Sequence, residues 1–528
     1  MITRIAETLA RHDRTIALAV FVALTPLLYV ACFPPLTVNE AAFVFLVPFV
    51  IWLKFQPSNR QVFLVTTLVG WGAWIVIIFW LRHVTWAGMI GLSLVMGLHF
   101  SLWALGVAWL SRRSFGAGMW RGVPLAVGAA ALWVVVEHVR GFIFTGFPWL
   151  PLAASQVEEP MMLQGASFFG SWSVSFALVF MNLGIASYLL RLVGYAQKRS
   201  RQICPEFYLA LSFLVGTTFL QLGASSGQQR EKVFRAGVVQ PNIPQNIKWD
   251  AAFANKVMNE VETATRWLGP LKPDAIFWPE ASLPYPLNDD GALETWGTRL
   301  ATSVGAPIYA GALAVEERET GDAWYNSVFL VRPEYGLFPL YYSKQHLVPF
   351  GEYIPLRWLW PWMEKFVPID GDFLPGETAQ LLPLYLGENA LRLGSLICFE
   401  DVFPSIARRA VREGAGLLFV STNSAWYGKS AAADQHRAHS VLRAVETRRP
   451  VLRVGNDGWT GWIDEYGSVR DQLDKWEQVS TVWQISRDRR WVGKQSVYVR
   501  YGDWFVWVCW GLLICSALLA RSRVLSDE

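Results

Sequence analysis

Of the five cysteines, Cys32, Cys204, Cys509 and Cys515 lie in or beside long apolar runs, and only Cys398 falls in the polar middle of the chain. A lone thiol there has no disulfide partner within its own segment. It ends the apolar, β-like run 391–397 and precedes Phe399-Glu400-Asp401, then Pro404 and a helical pattern. The plain alternative is a buried core cysteine. The strand-to-helix setting predicts instead an exposed nucleophile near helix N–H groups, which would stabilise the thiolate and lower its pKa. A thiol also needs a base, and Glu280 closes the strand-like run 275–279 in Trp278-Pro-Glu280, where apolar neighbours favour proton uptake by a carboxylate. A developing oxyanion needs a positive group, and Lys344 stands in Tyr341-Tyr-Ser-Lys-Gln-His-Leu-Val-Pro-Phe-Gly-Glu352. The second carboxylate of that stretch, Glu352, could hold the lysine or orient the thiol. Each of the three alone also reads as an ordinary core or solvated residue. Together they suit nucleophilic acyl transfer.

These residues sit in a segment where β-branched apolar runs (233–239, 275–278, 308–313, 327–331, 391–397, 417–421, 451–454) alternate with helical patterns (251–268, 293–303, 405–412, 432–448). Such alternation predicts layered α/β packing. The rest of the chain differs. Over all 528 residues, 53% are hydrophobic and only 17% charged, against about 25% charged in soluble proteins. The apolar excess lies before residue 225 and after 503. Eight runs approach the ~20 residues a spanning helix needs: 15–33, 41–55, 61–80, 87–110, 123–139, 172–190, 207–222 and 504–520, the second short and containing Pro48. The first runs into Phe33-Pro34-Pro35 with no small-residue cleavage pattern, so it is not a removed signal peptide. With the N-terminus in the cytoplasm, the inner segments hold Arg4, Arg11, Arg14, Lys54, Arg60, Arg112, Arg113, Arg121, Arg191, Lys198, Arg199, Arg201, Arg521 and Arg523. The outer loops before 224 hold only Arg82 and Arg140, a bias that fixes orientation. The expected organisation is a seven-helix membrane domain over 1–223, an extracytoplasmic catalytic domain over 224–503, and a returning helix with a cytoplasmic tail over 504–528.

The order Glu280, Lys344, Cys398, from three strand ends, resembles the nitrilase superfamily. The similarity is closer to its membrane-bound branch, the apolipoprotein N-acyltransferases, and covers nearly the whole chain. It is carried by Val239-Gln-Pro-Asn-Ile-Pro-Gln245 with Lys248-Trp249-Asp250, by Trp278-Pro-Glu-Ala-Ser282, by Lys344-Gln-His-Leu-Val-Pro-Phe-Gly-Glu-Tyr-Ile-Pro355, by Ile397-Cys-Phe-Glu400 and by Asn423-Ser-Ala-Trp-Tyr-Gly428. In the membrane half, Glu137-His-Val-Arg140 and Thr145-Gly-Phe-Pro-Trp149 also match. Each motif alone is weak; their joint order is specific. Two positions depart from the family pattern: Phe399 stands where Tyr is frequent, and Ser424 where Asp is frequent.

The resemblance implies an αββα sandwich beside the spans, with Glu280, Lys344 and Cys398 as its triad. It implies acyl transfer from a membrane phospholipid through a Cys398 thioester to the α-amino group of a diacylglyceryl-cysteine at a lipoprotein N-terminus, on the periplasmic side of a bacterial inner membrane. Glu352, Glu400, Trp249, Trp426 and Arg140 are its supporting positions, Arg140 as a head-group contact or, more plainly, a side chain snorkelling to the interface. No cofactor is needed, because the phospholipid ester is already activated. Moving a chain of ~16 carbons through water would cost on the order of 12 kcal/mol, at about 0.8 per methylene, so thiol and ester must meet at the membrane surface. The loop 355–376, with Leu356, Trp358, Leu359, Trp360, Trp362, Met363 and Phe366 between Gly351, Gly371 and Gly376, suits a lid that dips into the interface or a loop packed on the domain.

The competing readings are a membrane-anchored amidase or hydrolase of the nitrilase type, which would not need eight spans, and a non-catalytic lipid-binding or transport protein, which would carry polar, broken helices. The net charge of +4 is too small to argue for nucleic acid. No metal-ligand spacing appears, and His436 and His439 lie on a stretch of helical pattern without carboxylate partners in register.

Overall fold

A computed structural model of the chain describes residues 2–114, 119–196, 203–289, 291–319, 321–359, 372–386 and 389–526. Trp360, Trp362, Met363 and Phe366 of the expected lid lie outside the described residues. The chain divides into two compact units, Met1–Ser225 together with Asp503–Glu528, and Ser226–Gly502.

In the first unit, six helices among the described residues are long and apolar enough to cross a membrane: Asp13–Ala31, Asn59–Ile77, Trp86–Arg113, Gly122–Arg140, Trp172–Val193 and Trp504–Arg521. The run expected at 207–222 lies in the helix Pro205–Ser225. The run at 41–55 is not a full span. It forms a 3-10 turn, Asn39–Phe43, and then a helix of seven residues, Val47–Leu53, with Pro48 in its first turn. Seven residues rise only about 10 Å. The break frees backbone groups that lipid cannot satisfy. Buried Asn182 takes them up, accepting from Leu46 N at 2.8 Å and donating to Ala42 O at 2.8 Å, and Thr25 donates to Phe45 O at 2.9 Å. The helices Asn59–Ile77 and Trp86–Ser114 cross where Gly70 meets Gly97; a β-carbon on Gly97 would lie 2.8 Å from both Thr67 O and Trp71 N. Small residues at such crossings let backbones approach.

The second unit is a sandwich of two sheets. Its strands are β1 (Arg230–Gln240), β2 (Ala275–Phe277), β3 (Ile308–Glu316), β4 (Ala323–Arg332), β5 (Gly336–Leu337), β6 (Tyr342–Ser343), β7 (Leu381–Leu386), β8 (Asn389–Ile397), β9 (Leu417–Thr422), β10 (Val451–Gly455), β11 (Gly461–Ile463), β12 (Val469–Gln472) and β13 (Val479–Asp488). One sheet runs β13-β1-β2-β3-β4-β5, with β6 on β4; the other runs β12-β11-β10-β9-β8-β7. Alternation along each strand sorts side chains between two layers. Ala275 and Phe277 enter the core between the sheets with Tyr309, Ile397, Phe419 and Leu452. Ile276 and Trp278 face the other way, into a core with Val257 and Val261 of the helix Ala254–Arg266 and Leu300 of the helix Gly291–Val304. The helices Pro404–Arg412 and Ala432–Thr447 belong to the second sheet's side and bury Ile406, Ala410, Val441 and Leu442. The result is the αββα layering that the resemblance implies. The parallel strands β8, β9 and β10 end together, as do β1 and β2, while β3 runs on past them, and the turns leaving the ends of β1, β2, β8, β9 and β10 carry polar residues.

Candidate active site

Glu280 lies just beyond β2 on a tight turn. Ser282 Oγ donates to Pro279 O at 2.5 Å, Ser282 N donates to Gly311 O at 2.7 Å, and Ala281 has φ +45°. Gly311 is required here, because a β-carbon on it would sit 2.2 Å from Pro279 O and 2.5 Å from Ser421 Oγ. Lys344 comes directly after β6, its backbone pinned by Lys344 N to Asn326 O and by Gly376 N to Lys344 O, both 2.8 Å.

The structure brings Glu280, Lys344 and Glu352 together. Lys344 Nζ lies 2.8 Å from Glu352 Oε1 and 3.7 Å from Glu280 Oε1. Asn326, on β4, bridges the two carboxylates, with Nδ2 donating to Glu280 Oε1 at 2.8 Å and to Glu352 Oε1 at 3.1 Å. Glu352 Oε2 accepts from Val348 N at 2.8 Å, so this carboxylate holds the lysine and its loop. Burial opposes the Lys344 charge, but the two carboxylates overcome it and raise the ammonium above its ordinary range. Lys344 is therefore a fixed cation.

Cys398 begins a 3-10 turn, Cys398–Val402, directly after β8, with φ +50°. It is only 6% exposed. Burial, with the Glu280 charge, pushes the thiol up to about 12, against the opposing pull of Lys344, the Thr422 hydroxyl and the Asn423 N–H. This corrects the expectation of an exposed, acidified thiol. The helix that was to supply N–H groups starts only at Pro404, which has none to give. The thiol is held protonated by burial, within the field of Glu280 and Lys344.

Glu400 is fully buried and joins the Cys398 turn to the Lys344 segment. It accepts from Ile397 N at 2.7 Å, Tyr342 Oη at 2.7 Å, Gln345 N at 2.6 Å and His346 N at 3.2 Å. Burial pushes the carboxyl up to about 7.

Residues 25–184 match the family described as "Apolipoprotein N-acyltransferase N-terminal domain", and residues 235–489 match "Carbon-nitrogen hydrolase". The apolipoprotein N-acyltransferase of Geobacter metallireducens is 32% identical over 501 residues, covering 90% of this chain and 92% of the relative. The chain belongs to the apolipoprotein N-acyltransferase family. A second relative of that name, from Rhizobium etli, is 31% identical over 490 residues, 87% of this chain and 86% of its own length. Among solved structures, an amidase from Nesterenkonia sp. is 15% identical, with TM-score 0.36, over 54% of this chain and 99% of the amidase.

Where the family pattern has a carboxylate at position 424, Ser424 leaves none. Asp457 supplies one nearby, accepting from Ser424 N at 3.2 Å, and burial pushes it up to about 6. Phe399, in the usual tyrosine position, is buried and packs edge-on against Phe403 at 5.2 Å. Trp249, Trp426 and Trp358 are exposed, Trp358 at 79%. Arg140 belongs to the helical unit. It does not reach outward: it is buried, donates to Trp149 O at 3.1 Å, and lies 5.5 Å from the Trp74 ring centre.

Sequence reasoning missed three features. Lys248, in the Lys248-Trp249-Asp250 motif but given no role there, is fully buried and donates to Glu280 O at 3.0 Å; burial lowers it to about 8. Asn326 carried no signal beyond a polar side chain in an apolar strand. His436 does have a carboxylate partner: its Nε2 lies 2.7 Å from Asp401 Oδ1 and 3.1 Å from Cys398 O. That correction concerns residues 35 apart in sequence, which only the fold pairs.

Proposed function

We propose that the protein N-acylates lipoproteins by a two-step transfer through Cys398, with a membrane phospholipid as acyl donor. The observation that carries this reading is the cluster of Glu280, Lys344 and Glu352, of which Glu280 and Lys344 exert their charges on the buried Cys398 thiol. It stands in a chain whose other unit is built from membrane-length helices.

In the first step Cys398 Sγ attacks the ester carbonyl and its proton passes to Glu280. Oε1 of Glu280 is occupied by Asn326 and Lys344, so Oε2 takes the proton. The transfer moves one negative charge from Glu280 to sulfur with the Lys344 ammonium beside both, so little charge is newly exposed to a low-dielectric setting. Lys344 keeps one N–H on Glu352 and has others for the tetrahedral oxyanion. Collapse expels the lysophospholipid alkoxide, which takes the proton from Glu280, and leaves a thioester. In the second step the neutral α-amine of a diacylglyceryl-cysteine attacks the thioester, Glu280 accepts the amine proton, and the Cys398 thiolate leaves and is reprotonated. The catalytic unit faces the periplasm, an assignment supported by the Lys and Arg bias between loops.

Intact mass measurement tests the chemistry. The full chain, incubated with phospholipid in detergent, should gain one fatty acyl group, and Cys398→Ala should gain none. Adding a diacylglyceryl peptide should discharge the adduct onto the peptide amine. Release of free fatty acid without peptide acylation would favour the hydrolase alternative and defeat this reading.

A further inference from the structure

A buried polar chain at the ends of β8, β9 and β10 has no part in the steps above. β8 and β9 are parallel with Ile397 opposite Ser421, so the next residues, Cys398 and Thr422, follow side by side where that pairing stops. On the other side of β9, Thr422 pairs with Gly455 of β10, two residues beyond Arg453. Thr422 is fully buried, and its hydroxyl is among the groups that draw the Cys398 thiol down against burial. Arg453 Nη2 donates to Thr422 Oγ1 at 3.3 Å. A guanidinium can only donate. It therefore fills a lone pair of the threonine oxygen and leaves the single hydroxyl hydrogen free to turn toward the neighbouring sulfur.

The arginine is itself held. Its Nη1 donates to Asp401 Oδ2 at 2.7 Å and to Ser440 Oγ at 3.1 Å, and Ser440 Oγ donates to Asp401 Oδ2 at 2.6 Å. His436 closes the chain through Asp401 Oδ1 and the Cys398 carbonyl. Burial and the Arg453 charge lower His436. Burial alone would raise Asp401, but its contacts with His436 and Arg453 hold it well below the usual carboxylate range.

We propose that Thr422 is a further catalytic residue, whose hydroxyl donates a hydrogen bond to the Cys398 sulfur as negative charge builds there, and that Arg453, anchored by Asp401, is the positioning residue that aims it. No proton leaves Thr422; the thiol proton goes to Glu280. The same hydrogen bond serves again when sulfur departs from the thioester. The assignment rests on Cys398 as the nucleophile, but not on which acyl donor or acceptor it serves.

The test is the pH dependence of Cys398 alkylation by iodoacetamide, followed on the Cys398 peptide by mass spectrometry in the full chain in detergent. Sulfur displaces iodide and its proton passes to base, so neither lipid nor lipoprotein is needed. The charged groups facing the sulfur are Glu280, Lys344 and Lys248, with the Tyr427 hydroxyl. Thr422→Val keeps the shape and removes the hydroxyl. We expect alkylation about tenfold slower at neutral pH and the alkaline limb of the profile displaced upward by about one pH unit, the size of one charge-assisted hydrogen bond. Thr422→Ser should match the wild type within about twofold. Should Thr422→Val not fold, Thr422→Ala against Thr422→Ser makes the same comparison. An unmoved alkaline limb in the hydroxyl-free variant overturns the assignment while leaving acyl transfer standing. A displaced limb in an enzyme that never transfers acyl groups would uphold Thr422 and remove the proposed function.

Discussion

Replacing Glu400 by Gln keeps its volume and removes its charge, and the geometry sets the consequence. Two carboxylate oxygens now serve four donors: Ile397 N and Tyr342 Oη on one, Gln345 N and His346 N on the other. An amide has a single acceptor oxygen. If it stays on Gln345 and His346, the new NH2 faces Ile397 N and Tyr342 Oη. The tyrosine hydroxyl can rotate and accept; the Ile397 N–H cannot. One buried N–H is left without an acceptor, at about 1–3 kcal/mol, and the remaining bonds lose charge assistance, so a total near 3 kcal/mol is expected. The orphaned group belongs to the residue before Cys398, whose φ of +50° a non-glycine residue holds only under constraint. Relaxation there moves the sulfur relative to Lys344, and a misplacement near 1 Å costs about 100-fold. Glu400→Gln should thus lower Tm and slow acyl-enzyme formation about 100-fold, read as the rate of acyl mass gain with phospholipid. Tyr342→Phe, which loses one donor and orphans no backbone group, should slow it less than about tenfold. A Glu400→Gln rate within about twofold of wild type would refute the idea that this carboxylate holds the two segments in register.

Three further outcomes are expected. Lys344→Met leaves Glu280 and Glu352 sharing Asn326 with no cation between them, and should destabilise the fold by about 3–5 kcal/mol, visible as a large Tm drop, besides abolishing acylation. Lys248 is lowered to about 8 in the fold from an ordinary 10.5. The unfolded chain then binds more protons between those values, so the wild type should gain up to about 3 kcal/mol relative to Lys248→Met as pH rises from 8 to 10.5. Parallel thermal unfolding curves across that window check the sign, and a gain on acidification would contradict it. Trp358→Glu places a charge on a side chain that is 79% exposed, and should reduce acylation by phospholipid while moving Tm by less than a few degrees. Undiminished acylation in micelles would remove the lid role from Trp358.

The turns that carry Glu280 and Cys398 were legible as places in the fold because each follows an apolar run, and strand ends are where a layered α/β fold presents polar groups. The long helical spans were legible for a similar reason, since about twenty apolar residues in a row have few other folds. What failed needed the third dimension. The run at 41–55 has the hydropathy of a span, and nothing local announces that Asn182, 140 residues beyond Ala42, will satisfy the backbone its break exposes. β7 was missed because Pro383 interrupts its pattern, which an edge strand tolerates. β12 is largely exposed, and its polar residues give no core signal. The acidity of Cys398 was misjudged because the helix begins beyond a 3-10 turn, so burial rather than a dipole governs the sulfur. His436 and Asp401 looked like isolated residues, and only the packing of the helix Ala432–Thr447 against the Cys398 turn makes them a pair.

Gly311 bears on how any mutational survey of this protein should be interpreted. It holds no proton and polarises no bond, yet a single added methyl would press on the carbonyl of Pro279 and displace the turn that carries Glu280. A saturation scan scored by growth or activity would rank position 311 with 280, 344 and 398. Intolerance there reports clearance between two sheets, and chemistry would have to be separated from it by measuring whether the variant protein still folds.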